Sequence, residues 1–222
     1  MCGLAGLLDP ERGVSADQLG RWSVEMTESL SHRGPDDRGV WVDSDGGVAF
    51  GHCRLAVVDL SAEGHQPMVS ADGRWVIAFN GEIYNHKSMR RRLASEGAEF
   101  RGASDTEVLV AAAERWGLDK ALQVVEGMFA FSLWDRSRRQ LHLVRDRFGE
   151  KPLYYGWVGR RLAFASELKA FHRLPEFSPE LDRDAVALLL RRNCIPAPST
   201  VYRGILKLEP GRVLTVDAAT RV

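Results

Sequence analysis

The sequence MCGLAG at residues 1–6 places a cysteine directly after the initiator methionine and a glycine directly after the cysteine. The apolar residues that follow predict a short buried strand over residues 4–8. Two explanations compete for the position of Cys2. Either the cysteine is there by chance, or Met1 is removed and Cys2 becomes a free N-terminal nucleophile.

Elementary chemistry makes the second explanation specific. A free α-amine has a pKa of about 7.7–8.0, close to the working pH at which a general base is most useful. If Met1 is removed, that amine and the Cys2 thiol belong to one residue, so nucleophile and base form a unit, as they do in enzymes with an N-terminal threonine. An ordinary thiol titrates near 8.5 and needs such activation. We expect Cys53 and Cys194 to be packing residues.

The composition is that of a soluble globular chain. The 222 residues are 45% hydrophobic and 27% charged, which suits one large domain or two small ones. Thirty basic and thirty acidic side chains cancel, so we expect neither nucleic acid nor an anionic membrane as a partner. Three widely spaced cysteines argue against a disulfide framework and a zinc site. No apolar run suits a signal peptide or a membrane span, and we expect a cytoplasmic protein.

The order of the predicted elements indicates the fold class. Asp45-Gly46-Gly47 is a strong hairpin signal within residues 39–61, and a strand over residues 74–81 is expected to end in a turn at Asn80-Gly81. Further strands are predicted over residues 128–135, 139–146, 152–158 and 161–167 and near the C-terminus, and helices over residues 19–30, 86–96, 104–117, 118–125 and 182–192. Hairpin-linked strands between blocks of helices favour an α+β domain with antiparallel sheets.

The stretch FNGEIYNH at residues 79–86 carries the first candidate site residues. The Asn80 side chain and the Gly81 backbone N–H would form a pair of donors at a strand end, which is the composition of an oxyanion hole. The alternative is an ordinary Asn-Gly turn, and taken alone that alternative is the more common one.

Two charged residues complete the candidate set. Arg54 lies in an otherwise apolar strand, where a guanidinium needs a partner. A substrate carboxylate would serve, and the alternatives are a salt bridge to Asp59 or another acid, or an exposed strand face. Asp105 follows Ser104 at a predicted helix start, where the helix dipole alone explains an acid, but its carboxylate could also receive a substrate ammonium. Together with Cys2, these residues describe a site that hydrolyses the side-chain amide of a free amino acid.

Several motifs, in order, give the chain a family resemblance. It resembles the glutaminase domain of class II glutamine amidotransferases, which are N-terminal-nucleophile enzymes, and most of all the asparagine-synthetase type. The resemblance covers residues 1 to about 170 and rests on MCGLAG, SHRGPDDRG, GHCRLAVVDLS followed by QPM, FNGEIYNH, SDTEVL, GMFAFSLWD, RDRFGEKPLYY and ASELKA.

The resemblance implies a fold, a reaction and a role for each candidate residue. It implies a four-layer αββα sandwich of two antiparallel sheets between helices, and hydrolysis of L-glutamine to glutamate and ammonia through a γ-glutamyl thioester on Cys2. The roles that it implies are an oxyanion hole from Asn80 and the Gly81 N–H, an α-carboxylate clamp from Arg54, an α-amino site from Asp105 and the Glu82 region, and a pocket lining from Leu55, Val57 and Val58.

The family normally carries a second domain that binds ATP and consumes the ammonia. We expect residues 2–222 to form the amidotransferase domain without Met1, with residues 175–222 leading toward a synthetase domain that is absent here. The SGGxDS-type loop of that domain does not occur in this sequence, so no cofactor is expected on this chain, and ATP and Mg²⁺ only on the missing domain. An excised domain is favoured over a stand-alone glutaminase, and a homodimer is possible.

Three alternatives stay open at this stage. The domain could be a degenerate, non-catalytic scaffold, although the candidate residues are all present. It could act on another amide, such as a peptide. The ammonia acceptor, with aspartate as the default, could be a different substrate in a specialised pathway.

Overall fold

A computed structural model describes residues 1–218, and the end of the chain at 219–222, including the end of the predicted domain, lies outside the described residues. Eleven strands and five α-helices are formed in this part of the chain. The strands are β1 Gly3–Leu8, β2 Asp37–Asp43, β3 Val48–Arg54, β4 Met68–Val69, β5 Trp75–Ile83, β6 Gly127–Asp135, β7 Gln140–Arg145, β8 Tyr154–Val158, β9 Arg161–Ala165, β10 Ile205–Lys207 and β11 Val213–Asp217. The helices are α1 Ala16–Glu28, α2 His86–Ser95, α3 Asp105–Trp116, α4 Leu118–Val124 and α5 Arg183–Arg192.

The strands form two antiparallel sheets that pack face to face. The first has the order β10-β8-β9-β1-β3-β2 and the second the order β11-β7-β6-β5-β4. Because side chains alternate along a strand, each sheet buries one face against the other sheet and one against helices. Phe50 and Phe164 of the first sheet meet Trp134 of the second in the inter-sheet core. Helix α1 packs on the outer face of the first sheet, and α2, α3 and α4 pack on that of the second. The predicted αββα sandwich is confirmed.

Strand β1 occupies an inner position of the first sheet, between β3 and β9. All six of its residues are buried. Gly6 is required there, because a Cβ on it would lie 2.3 Å from the Phe164 ring and 2.6 Å from the Ala49 carbonyl oxygen. Gly3 pairs with Cys53, so Cys2 lies beside the end of β3, where Arg54 and the loop after it begin.

The predicted turn at Asn80-Gly81 is wrong. Strand β5 continues to Ile83, and Asn80 pairs with Ala130 and Gly81 with Phe129 of β6. Glycine is needed at 81 for close approach rather than for a turn, because a Cβ there would lie 2.2 Å from the Met128 carbonyl oxygen. The local turn signal is overridden by a ladder with a strand that lies far away in sequence.

Other local predictions have mixed outcomes. The hairpin at residues 44–47 joins β2 to β3, and Ser104 caps α3 by accepting the Glu107 N–H. Cys53 is buried as expected, but Cys194 is exposed, so its assignment as a packing residue is wrong.

No helix within residues 1–218 is long and apolar enough to cross a membrane.

Candidate active site

A cavity of about 170 Å³ lies where β1 begins. It is bounded by the start of β1, the loop after β3, the end of β5 and the start of α3. All the residues predicted for the site line this cavity: Cys2, Arg54, Leu55, Val57, Val58, Asn80, Gly81, Glu82 and Asp105. The fold therefore brings together segments that are up to a hundred residues apart in the sequence.

The Cys2 thiol is held against the backbone of Leu55. Its Sγ lies 3.4 Å from the Leu55 nitrogen, which donates to it, and 3.6 Å from the Leu55 carbonyl oxygen. Burial raises the pKa of the Cys2 thiol, and the Leu55 N–H and the Arg54 charge offset this only in part. A thiol in this setting needs a base to become a nucleophile.

No histidine is among the residues that line the cavity in the described part of the chain. His52, the neighbour of Cys53, lies between the sheets and donates its Nε2–H to the Phe79 carbonyl oxygen over 2.9 Å. Complete burial lowers the pKa of His52 to about 4, so the ring is neutral. The Cys2 α-amine, once free, is therefore the base nearest to the thiol. In this structure Met1 is attached to it and lines the cavity, and the Cys2 nitrogen is an amide.

Arg33 is a residue of this region to which sequence analysis gave no role. Its Nε donates to the Cys2 carbonyl oxygen over 2.8 Å, and its Nη1 pairs with Glu167 over 2.8 Å. The guanidinium is buried, so this contact holds the backbone of the nucleophile in place. The SHRGPDDRG motif contains Arg33, but a motif match does not reveal which carbonyl the side chain will contact.

The edge of β5 supplies a row of N–H groups beside the cavity. Alternate residues of a strand direct their N–H to the same side, and here these are Phe79, Gly81 and Ile83. The Phe79 N–H donates to Gln66 Oε1 over 2.7 Å, and the Ile83 N–H donates to Asp105 Oδ2 over 2.9 Å. The Gly81 N–H lies between these two.

The opposite strand cannot satisfy the Gly81 N–H. Its ladder partner Phe129 directs both backbone groups away, toward Asp146: the Phe129 N–H donates to Asp146 Oδ2, and the Phe129 carbonyl accepts the Asp146 N–H. Strand β4 reaches only as far as Ile77 on the other side of β5. Within residues 1–218 the Gly81 N–H therefore has no strand partner, and it faces the cavity.

Asn80 provides a second unpaired donor. The residue is 1% exposed, and its Nδ2 has no hydrogen-bond partner within the described residues. Leaving a buried amide donor unpaired is costly. Asn80 and Gly81 both line the cavity, and an acceptor oxygen that carries negative charge forms the stronger hydrogen bonds with such donors.

Arg54 is buried, and within residues 1–218 it forms no salt bridge to Asp59 or to another acid. Its Nη1 donates to the Ser61 carbonyl oxygen over 2.8 Å and its Nη2 to the Asp59 carbonyl oxygen, so its bonds are to the main chain and not to the Asp59 carboxylate. Gly64 closes over it, because a Cβ at that position would lie 2.0 Å from Arg54 Nη2. The guanidinium is thus fixed, its charge is not neutralised by these contacts, and it lines the cavity.

Asp105 presents a buried carboxylate to the same cavity. It accepts the Ile83 N–H with one oxygen and the Thr106 N–H with the other. Burial raises the pKa of Asp105, and a cation bound beside it would lower that pKa again. Glu82 adds a second, half-buried acid to the lining. The site therefore offers a cationic end at Arg54 and an anionic end at Asp105 and Glu82.

The Asp59 carboxylate ties together two loops that border the cavity. It accepts from the Ser61 N–H and hydroxyl over 2.8 and 2.6 Å and from the Ala103 N–H over 2.7 Å. These bonds lower the pKa of Asp59 to about 2. The loop that holds Arg54 is therefore joined to the loop that precedes α3.

We expect Asp59→Asn to destabilise the chain by about 1–2 kcal/mol near pH 7. A depressed pKa stabilises the folded state above the unfolded value of about 3.9, and the contribution is lost as the pH falls toward 2. Urea unfolding from pH 7 to pH 2 should show the difference from the parent chain shrinking below about pH 4. The control is Asp45→Asn, at an exposed hairpin position. A difference that is constant with pH would contradict the role of the charge.

The four layers and a cysteine at the start of an inner strand define the N-terminal-nucleophile type of fold. The chain belongs to the glutamine amidotransferase domain family, whose model matches residues 1–222. The glutamine phosphoribosylpyrophosphate amidotransferase from B. subtilis has the same fold, with a TM-score of 0.70 and 23% identity over 97% of this chain and 47% of that one.

Among curated proteins, the chain is similar to glutamine-hydrolysing asparagine synthetases. It is 36% identical over 218 residues to asparagine synthetase 3 of Bacillus subtilis, and 40% identical over 229 residues to a putative asparagine synthetase of Mycobacterium bovis. The alignments cover 97% and 95% of this chain but 34% of each relative. The chain thus spans about a third of the length of these relatives and corresponds to their glutamine amidotransferase part.

Proposed function

We propose that this domain hydrolyses L-glutamine to L-glutamate and ammonia with Cys2 as the nucleophile. The observation that carries the proposal is a pair of donors on the cavity that Cys2 also lines: Asn80 Nδ2 has no partner within residues 1–218, and the Gly81 N–H has no strand partner there. The names of the curated relatives, which include glutamine hydrolysis, support it.

In the proposed reaction the free α-amine of Cys2 takes the thiol proton, and the thiolate attacks the side-chain amide carbon. The resulting oxyanion accepts hydrogen bonds from Asn80 and Gly81, which stabilise it more than they stabilise the planar amide. The tetrahedral intermediate collapses as the protonated amine gives its proton to the departing nitrogen, leaving a γ-glutamyl thioester. Water, activated by the same amine, then cleaves the thioester to glutamate and restores the thiol.

Substrate recognition is proposed at the two charged ends of the cavity. Arg54 would grip the α-carboxylate and Asp105, assisted by Glu82, the α-ammonium. Leu55, Val57 and Val58 would contact the two methylene groups that join the α-carbon to the side-chain amide. Because a free amino acid carries both charges on one carbon, this arrangement selects glutamine over a glutamine residue inside a peptide.

Activity requires removal of Met1, since an amide nitrogen cannot act as the base. We propose the mature domain as residues 2–222, with residues 175–222 leading to a synthetase-like domain that uses ATP and Mg²⁺ to transfer the ammonia. Aspartate as the acceptor, a homodimer and a cytoplasmic location stay predictions.

Glutamate release from L-glutamine, compared with α-N-acetyl-glutamine, tests the proposed function. For Arg54→Ala we expect KM to rise about 10- to 150-fold, because a charge-assisted bond to the substrate is lost, while kcat changes little. Arg38→Ala, which removes an exposed arginine paired with Glu28, is the matched control. An unchanged KM in Arg54→Ala, or faster turnover of the acetylated substrate, would point instead to an amidase for another class of amide.

A further inference from the structure

Lys151 is a buried cation at the cavity that the proposed reaction does not yet use. Lys151 is 7% exposed and lines the cavity, and its Nζ lies 3.5 Å from Met1 Sδ. None of the ion pairs formed within residues 1–218 involves Lys151. Burying an ammonium without a counter-ion is costly, so its placement needs a reason.

The backbone of Lys151 is fixed from both sides. Its N–H donates to Asp146 Oδ2 over 3.1 Å, and its carbonyl accepts from Arg145 Nε over 2.8 Å. Asp146 is the same residue that turns Phe129 away from Gly81. Asp146 therefore fixes both the Phe129 backbone beside Gly81 and the Lys151 backbone at the cavity.

The ammonium lies close to the start of the mature chain. Met1 Sδ is five covalent bonds from the Cys2 nitrogen, so the bond lengths and the 3.5 Å contact place Lys151 Nζ at most about 11 Å from that nitrogen. Removal of Met1 takes away the side chain that Lys151 contacts. The N-terminus is then the Cys2 amine, and it lies at the same cavity that Lys151 lines.

We propose that Lys151 is a positioning residue that holds the Cys2 α-amine in the unprotonated form, ready to accept the thiol proton. This inference rests on the proposed function. A positive charge nearby disfavours a second positive charge on the amine and favours the thiolate. Both effects allow the amine–thiol pair to work at a lower pH.

The other charges that face Cys2 do not supply this effect in the liganded site. Arg54 and Asp105 both act on the Cys2 thiol, with opposite signs, and each is proposed to be engaged by one end of the substrate. Arg33 contacts the Cys2 carbonyl but is paired with Glu167. The half-buried acid Glu82 opposes the effect. With glutamine bound, Arg54 would be paired with the substrate carboxylate, and no anionic partner is proposed for Lys151.

The test is the pH dependence of kcat for glutamate release by the processed chain, because kcat reports the groups of the enzyme–substrate complex. For Lys151→Met we expect the acidic limb to move to higher pH by roughly 0.5–1 unit, from Coulomb's law at a separation of up to about 11 Å and the dielectric of a partly hydrated site. At pH values below the limb this is a loss of about three- to tenfold. Lys151→Arg should keep the parent profile, and Lys87→Met, at an exposed position on α2, serves as the control.

A second readout does not depend on turnover. The rate at which iodoacetamide alkylates Cys2, followed by peptide mapping that separates Cys2 from the exposed Cys194, should show the same shift between the parent chain and Lys151→Met. Superimposable profiles, or an equal loss at every pH, would overturn the inference and leave Lys151 a packing residue. If the methionine variant does not fold, Lys151→Gln repeats the test. Absence of Cys2-dependent glutamate release from the parent chain would instead overturn the proposed function, and the alkylation profiles would still decide the role of the charge.

Discussion

Cys2→Ala is expected to reduce glutamate release from glutamine by about 10⁴-fold or more, the loss seen when a catalytic nucleophile is removed. The donors at Asn80 and Gly81 and the clamp at Arg54 remain in this variant, so glutamine should still bind. Without a thiolate no thioester forms, and the remaining donors cannot attack the amide themselves. Steady-state glutamate release from the purified variant measures the loss.

Cys194→Ala is the matched control, because Cys194 is a free but exposed cysteine and its removal should leave turnover unchanged. A chloroketone analogue of glutamine should label the parent chain once; the intact mass should show one label and the loss of Met1, and peptide mapping should place the label on Cys2. Parent-like turnover in Cys2→Ala would exclude the thiol mechanism. Failure of the analogue to label Cys2 would favour a non-catalytic scaffold.

Asn80→Ala should lower kcat by about 10²- to 10³-fold, the usual cost of removing one oxyanion donor. KM should change by no more than a few-fold, because the donor is expected to strengthen its bond only as the carbonyl oxygen becomes negative. The variant also removes a buried unpaired amide, so its stability should not fall in parallel with its activity. Kinetics and urea unfolding of the same preparation separate the two effects.

Asn85→Ala provides the contrast. The Asn85 side chain donates to the Val124 carbonyl oxygen and accepts the Glu126 N–H, so its loss should reduce stability while kcat stays near the parent value. A rise in KM with unchanged kcat in Asn80→Ala would mean that Asn80 binds substrate and transition state equally and is not an oxyanion donor.

Much of the fold was predictable from local patterns. The hairpin at residues 44–47 follows from its glycines and the start of α3 from Ser104, because turns and caps depend on a few neighbouring residues. The two-sheet sandwich followed from the family resemblance. The prediction failed where a local signal met a distant partner: Asn80-Gly81 has the sequence of a turn, but β6 pairs with both residues. Residue type alone predicts a packing role for Cys194, but residue type does not report exposure.

The amino-acid sequence by itself determined which chemical groups are available and, through its ordered motifs, the family to which the chain belongs. It did not determine their directions. The Gly81 N–H faces the cavity because of the register of β5 against β6 and the early end of β4. The Arg54 charge is not neutralised by its hydrogen bonds because they go to two main-chain carbonyls of a folded loop. The contacts of Arg33 and Lys151 likewise join residues that are distant in sequence. Only the tertiary structure decides such features, because hydrogen-bond directions and charge separations are set by strand pairing and loop packing between segments that do not neighbour each other along the chain.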